Sequence, residues 1–166
     1  MPPPEKLKEM REFRAANDLA PLVIHDSYLI NMASADETIR EKSIAGFRGE
    51  LERAIAIGAE YLVMHPGSAK DQTLESGIET LVRSLETASL GLKPEGFRLL
   101  LENTAGAGAT IGRALEELKS IRDLAQGKLP YEIGYCLDTC HLYASGFDVS
   151  TEKGLNQTVA DAERIL

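Results

Sequence analysis

The chain has 166 residues, 43% hydrophobic, 27% charged and 5% aromatic, with no tryptophan and three histidines. That length can bury a substantial core in one domain, no run approaches the roughly 18 consecutive apolar residues of a membrane span, and the opening Met1-Pro2-Pro3-Pro4 is no signal peptide. A formal net charge of −8 disfavours bulk attraction to nucleic acid or anionic membrane, and two cysteines make no disulfide framework, so a reducing cytoplasm is the expected compartment.

Pro4 to Asn17 places Leu7, Met10 and Phe13 at threefold spacing among charged residues, which predicts an amphipathic helix with proline at its start. Leu22 to Ile24 is a short apolar run ending in His25, followed by a polar, loop-like stretch over 26–35. Asp36 can cap a long helix that Gly58 stops. The pattern then repeats. Tyr61 to Met64 ends in His65, and a helical region runs from Gln72 to Leu92 until Pro94-Glu95-Gly96 breaks it. Phe97 to Leu101 ends in Glu102, and Thr110 can cap a helix over Gly112 to Gln126, with Gly127 at its end. Ile133 to Leu137 ends in Asp138, with His141 three residues beyond, and Asn156 to Leu166 reads as helix. Continuous apolar runs alternating with helices predict a parallel α/β sheet covered on both faces, in a single domain over 1–166.

His25, His65, Glu102 and Asp138 stand 40, 37 and 36 residues apart, close to a regular strand–helix module. Loops converge at the carboxyl ends of parallel strands, so these residues and His141 are expected to be neighbours in space. Imidazole nitrogen and carboxylate oxygen are the usual ligands of catalytic zinc, and a bridging carboxylate such as Glu102 could join two metals. A histidine at a strand end can equally be a hydrogen-bonded structural residue, and an Asp or Glu there a helix cap. That all three histidines and two carboxylates fall at matching positions favours the metal site. Cys136 and Cys140 are expected to pack as small hydrophobes. Gly106 and Gly108 are expected to shape a tight loop rather than a phosphate cradle, and Glu50, Glu52, Glu116 and Glu117 to lie on solvated surface.

Four segments together, Ile24-His25-Asp26-Ser27-Tyr28-Leu29-Ile30-Asn31, His65-Pro66-Gly67-Ser68, Leu101-Glu102-Asn103-Thr104-Ala105-Gly106 and Cys136-Leu137-Asp138-Thr139-Cys140-His141, resemble the endonuclease IV family of apurinic/apyrimidinic endonucleases in order and spacing. The resemblance covers nearly the whole chain from about Leu22. It implies a TIM (β/α)8 barrel that hydrolyses double-stranded DNA on the 5′ side of abasic sites with three zinc ions. By the same resemblance His25 and His65 would ligate one zinc, Glu102 would bridge it to a second held by Asp138, and His141 would bind the third. Glu102 and Asp138 would thereby be the catalytic carboxylates. Tyr28 and Leu29 would lie on a DNA-binding loop that wedges into the duplex at the lesion. Asp148 also matches a family loop, in a structural role. Zinc ions would add positive charge where phosphate must sit, so the acidic total describes the outer helices more than the site.

A complete barrel needs eight units and about 250 residues, whereas four strands are legible here. The family's further histidine, Asp-x-His pair and final glutamate have no counterpart after His141. The expectation is therefore an incomplete barrel of about four βα units, truncated at both ends, with at most a partial zinc cluster and little nuclease activity alone. Two rival readings stay open: a divalent-metal sugar isomerase or epimerase on the same barrel, and a non-catalytic zinc-binding fragment. No membrane partner is expected, and the sequence leaves the oligomeric state open.

Overall fold

A computed structural model of the protein describes residues 2–166. Helices and strands alternate as α1 (Pro4–Ala16), β1 (Val23–His25), α2 (Glu37–Ile57), β2 (Tyr61–Met64), α3 (Leu74–Ser89), β3 (Arg98–Glu102), α4 (Leu115–Ala125), β4 (Glu132–Cys136), α5 (Thr139–Ser145) and α6 (Glu152–Ile165). Local chemistry sets the boundaries. The Asp36 carboxylate accepts from the Ile39 amide at 3.0 Å to start α2, and Gly58 ends it in the left-handed region at φ 73°. No helix among the described residues is long and apolar enough to cross a membrane.

The strands form one parallel sheet in the order β1-β2-β3-β4. Each strand therefore needs a crossover to reach the next, which the intervening helices supply. Register places His25, Val63, Leu100 and Gly134 in one row across the sheet and Leu62 beside Leu99 and Ile133 in the next. Because successive side chains alternate in direction, Leu62, Met64, Leu99 and Leu101 share one face and are 0–1% exposed. They join Phe47 and Leu51 of α2, Leu81 and Leu85 of α3, and Leu118 and Ile121 of α4 in one hydrophobic cluster. Each such fully buried side chain stabilises the fold by roughly 1.5–3 kcal/mol.

The opposite face carries Val23, His25, Val63, Leu100, Glu102, Gly134 and Cys136, with an exposed Arg98–Glu132 ion pair at its lower end. Among the described residues helices cover one face only, so the expectation of two helix-covered faces is corrected. Val63 is still only 3% exposed, because neighbouring side chains shield it. That is how the inward face of a barrel, lined by side chains rather than helices, is built. The architecture is a parallel sheet with alternating helices, the arrangement of four consecutive units of a (β/α) barrel.

Several boundaries differ from expectation. Of the stripe Leu7, Met10 and Phe13, only Leu7 is buried, and Phe13 is 62% exposed. α1 is instead latched by Arg14, whose guanidinium donates to the Gly58 carbonyl at 2.8 Å and to both Glu60 oxygens at 3.0 and 2.8 Å. α4 starts at Leu115 rather than after Thr110. Thr110 forms a bridge with Ser68, Gly112 has φ 97°, and the Glu117 carboxylate accepts from the Gly112 amide at 2.6 Å and the Arg113 amide at 3.2 Å. Glu117 is thus a cap rather than a solvated bystander. α3 is shorter at both ends than Gln72 to Leu92, and β4 starts and ends one residue early. α6 starts at Glu152, where the Thr151 hydroxyl accepts from the Gly154 amide at 3.0 Å, and Asp148 supports that turn by accepting from the Thr151 hydroxyl at 2.7 Å. α5, a seven-residue helix, is not among the elements the sequence predicts.

Candidate metal centre

The carboxyl ends of the four strands bring His25, His65, Glu102, Asp138 and His141 together. Donor atoms of His25, His65 and Glu102 all lie within 4.8 Å of one another, and so do those of Glu102, Asp138 and His141. Glu102 belongs to both groups. Its Oε2 lies 2.7 Å from His25 Nε2 and 3.4 Å from His65 Nε2, and its Oε1 lies 3.4 Å from His141 Nδ1. The three imidazoles stand in a row, with ring centroids 5.2 Å apart for His25 and His65 and 5.5 Å apart for His65 and His141.

Backbone geometry sets the direction of each donor. β1 ends on His25, whose Nδ1 donates to the Asp26 carbonyl at 2.9 Å. β3 ends on Glu102, 6% exposed, and β2 delivers His65 one residue past Met64. Asp138 stands two residues beyond β4 as the N-cap of α5, its Oδ1 accepting from the His141 amide at 2.8 Å. The cap and the metal-ligand readings are therefore compatible, because the cap bond engages Oδ1 and leaves Oδ2 available. α5 places His141 in its first turn, and His141 Nδ1 donates to the Asn103 carbonyl at 2.9 Å.

The donor set fits a divalent cation. A neutral imidazole that donates from Nδ1 presents a bare lone pair at Nε2. In His25 that lone pair faces a carboxylate oxygen at 2.7 Å, so a proton or a cation must lie between the two acceptors. His65 Nδ1 is buried without a hydrogen-bond partner. Among the described residues no lysine or arginine pairs with the buried Glu102 carboxylate; its ion-pair partners are the three histidines.

Titration follows the same geometry. Burial pulls the His25 imidazole down, but the Asp26 carbonyl and Glu102 outweigh it and the group sits above its ordinary value. His65 falls below its ordinary value, through burial first, with His25 and His141 adding to the effect and Glu102 opposing it. The hydrogen bond from the His141 amide holds Asp138 low. Burial pushes Asp26 up to about 7, against the pull of His25.

Tyr28 and Leu29, three and four residues past His25, project on a turn closed by the Ile30 amide donating to the Ser27 carbonyl at 3.0 Å. They are 85% and 74% exposed. Cys136 is half-buried on the inward face, where burial and then Glu102 and Asp138 push its thiol up, while Cys140 is exposed and does not pack as expected. Gly106 and Gly108 both adopt positive φ, 80° and 61°, in the tight loop after β3. A separate cleft of about 580 Å³ at the opposite end of β4, lined by Arg122, Gln126, Pro130 and Tyr131 among others, holds none of these donors.

Sequence reasoning assigns no role to two asparagines inside the quoted motifs, Asn31 and Asn103, or to Asp26. The signal is present in part. A polar amide immediately after an apolar run must be hydrogen-bonded if it is buried, and Asn103 is 0% exposed.

Residues 1–165 match the model of a family described as xylose isomerase-like TIM barrel. A probable endonuclease 4 of Solibacter usitatus is 54% identical over 166 residues, covering 100% of this chain and 57% of that protein. The crystal structure of endonuclease IV from Thermus thermophilus superposes with a TM-score of 0.78 at 36% identity, covering 99% of this chain and 56% of that one. A D-tagatose 3-epimerase-like protein superposes with a TM-score of 0.69 at 22% identity, covering 93% of this chain and 58% of that one, a likeness of fold. The chain thus spans a little over half the length of the curated relatives it matches.

Proposed function

Because this chain belongs to the xylose isomerase-like TIM-barrel family, and its endonuclease IV relatives match it along its whole length, we propose that it serves a DNA-repair endonuclease that hydrolyses the phosphodiester 5′ to abasic sites in double-stranded DNA. In this reading residues 1–166 contribute one continuous part of a single barrel domain working in the cytoplasm. The observation that carries the proposal is the buried Glu102 carboxylate shared between two groups of ligand-type side chains.

His25, His65 and Glu102 would hold one zinc ion, and Glu102, Asp138 and His141 would hold what this chain contributes to further ions. When bound, zinc supplies Lewis acidity that lowers the pKa of water and offsets the phosphate charge. The chain's own residues do the rest. The Asp26 and Asn103 carbonyls fix which nitrogen of His25 and His141 carries the proton, leaving Nε2 of each ring as the donor. Buried Glu102 and part-exposed Asp138 bring two carboxylates to the strand ends, where they would hold the metal ions. Tyr28 and Leu29 would enter the duplex beside the lesion, where an apolar wedge offsets unstacking.

The test is incision of a labelled duplex carrying one abasic-site analogue, with zinc supplied and with chelator. The expected result is zinc-dependent cleavage on the 5′ side, leaving a 3′-hydroxyl, slow for these five donors alone and lost in Glu102→Gln. Zinc-independent cutting, or epimerisation of a ketohexose without any incision, would overturn the assignment.

A further inference from the structure

Two asparagines beyond the strand ends repeat one device. Asn103 Oδ1 accepts from the Asp138 amide at 2.6 Å while its Nδ2 donates to the Asp138 carbonyl at 3.2 Å. Asn31 Oδ1 accepts from the Ser68 amide at 3.0 Å while its Nδ2 donates to the Ser68 carbonyl at 3.3 Å. In both cases a side-chain amide reads the N–H and the C=O of a single residue on the next strand's loop. A parallel neighbour strand makes the same pair of bonds to a single residue. Asn103 therefore adds one rung directly past the last ladder pair, Glu102 with Cys136, and Asn31 ties together the loops that follow β1 and β2 further on.

The two clamps fall where the candidate ligands sit. Asn103 follows Glu102 directly, its side chain grips the backbone of Asp138, and its carbonyl accepts from His141 Nδ1 at 2.9 Å. One fully buried residue thus holds both Asp138 and His141 and directly follows Glu102 in the chain. Asn31 belongs to the loop that carries Tyr28 and Leu29, and it grips Ser68, three residues after His65. Gly67 lets that second clamp close: it adopts φ 94°, and a Cβ there would collide with Asn31 Oδ1.

We propose that Asn103 and Asn31 are positioning residues, each fixing one half of the candidate centre: Asn103 the half built on Asp138 and His141, Asn31 the half containing His65. This rests on the reading of the site as a metal centre. Groups that orient ligands without touching the metal typically change metal affinity by about 10- to 100-fold when removed. The two clamps share no atom, so their effects separate.

The test follows the ring signals of His25, His65 and His141 by NMR during titration of the 166-residue protein with Zn²⁺. Asn103→Ala is expected to raise the Zn²⁺ concentration needed for the His141 response by about 10-fold or more, leaving His25 and His65 within about twofold. In the metal-free protein the signature of His141 protonated at Nδ1 is expected to persist, because the Asn103 carbonyl that accepts from it belongs to the backbone and survives in Asn103→Ala. Asn31→Ala is expected to give the converse, a weakened His65 response with His141 preserved. Gly67→Ala, which leaves every amide donor and acceptor in place, should reproduce the Asn31 effect. Asn103→Ser replaces Asn103→Ala in the titration if the latter does not fold. Responses that weaken together in all three histidines, or stay unchanged in both clamp variants, would sink the positioning roles. A wild-type protein in which no histidine responds to Zn²⁺ would instead remove the metal centre, and the clamps' purpose with it.

Discussion

The two faces of the sheet are made by the same strands and differ in almost every physical respect. Leu99 and Leu101 of β3 point into the helix layer and are 0% exposed, while Leu100 and Glu102 between and after them point the other way. On the helix side the interactions are non-directional, and any well-packed apolar side chain of similar volume would serve. On the other side the upper end is built from directed bonds: a histidine held by a backbone carbonyl, a carboxylate shared among three rings, an asparagine gripping a neighbouring loop. Folding free energy comes mainly from one face, and the candidate ligands lie on the other. Buried polar groups that lack a counter-cation weaken the second face when no metal is present.

Four substitutions can break or sharpen that contrast. Leu99→Ala should cost most, about 2–5 kcal/mol of stability in chemical denaturation, with zinc stoichiometry unchanged in the protein that remains folded. Glu102→Gln should do the reverse. It removes the carboxylate common to both groups and should weaken zinc, measured against a chromophoric chelator, by at least about 100-fold, or roughly 2.7 kcal/mol. Its metal-free stability should not fall by a comparable amount. If it does, Glu102 belongs to the scaffold as much as to the site.

Asp26→Asn tests the cost of a buried charge in chelator-treated protein. With a folded-state pKa pushed up to about 7 from 3.8, Asp26 binds a proton in the fold at pH values where the unfolded chain has released it. Wild-type stability is therefore expected to rise as pH falls from about 8 towards about 4. The asparagine variant should be more stable than wild type at about pH 8, by on the order of 2 kcal/mol, and the advantage should shrink as the pH falls. A constant difference across that range would assign the effect to packing. Arg98→Ala, which removes the exposed ion pair with Glu132, should change stability least, by less than about 1 kcal/mol and less again in high salt.

The contrast also explains what the sequence disclosed. The helix-facing pattern was legible because apolar runs such as Tyr61 to Met64 and Phe97 to Leu101 have few alternatives to a buried strand. The five candidate ligands were legible because strand ends concentrate them and histidine is scarce in this chain. Short-range polar chemistry was harder to read. Thr110 had the credentials of a helix cap, but Gly112 at φ 97° forces a turn there and Glu117 serves the amides from within the helix. α5 is invisible to periodicity because seven residues show too little of it, and Asp138 looks like the end of a strand when it also caps that helix. The asparagine clamps could not be read at all, since they depend on which loops lie side by side.

The latch on α1 has a dynamic consequence. With Phe13 and Met10 left at 62% and 39% exposure and only Leu7 buried, little apolar area opposes the release of this helix. What retains it is largely two guanidiniums, Arg14 bridging Glu60 and the Gly58 carbonyl and Arg11 donating to the Ala56 carbonyl at 2.5 Å. Its amides should therefore exchange with deuterium well before those of α2 and α3, and faster still as ionic strength rises. Among the described residues α1 is thus held by directed polar bonds more than by buried apolar area, and because Glu60 also accepts from the Leu22 amide at 2.6 Å, the same carboxylate ties the helix to the start of β1.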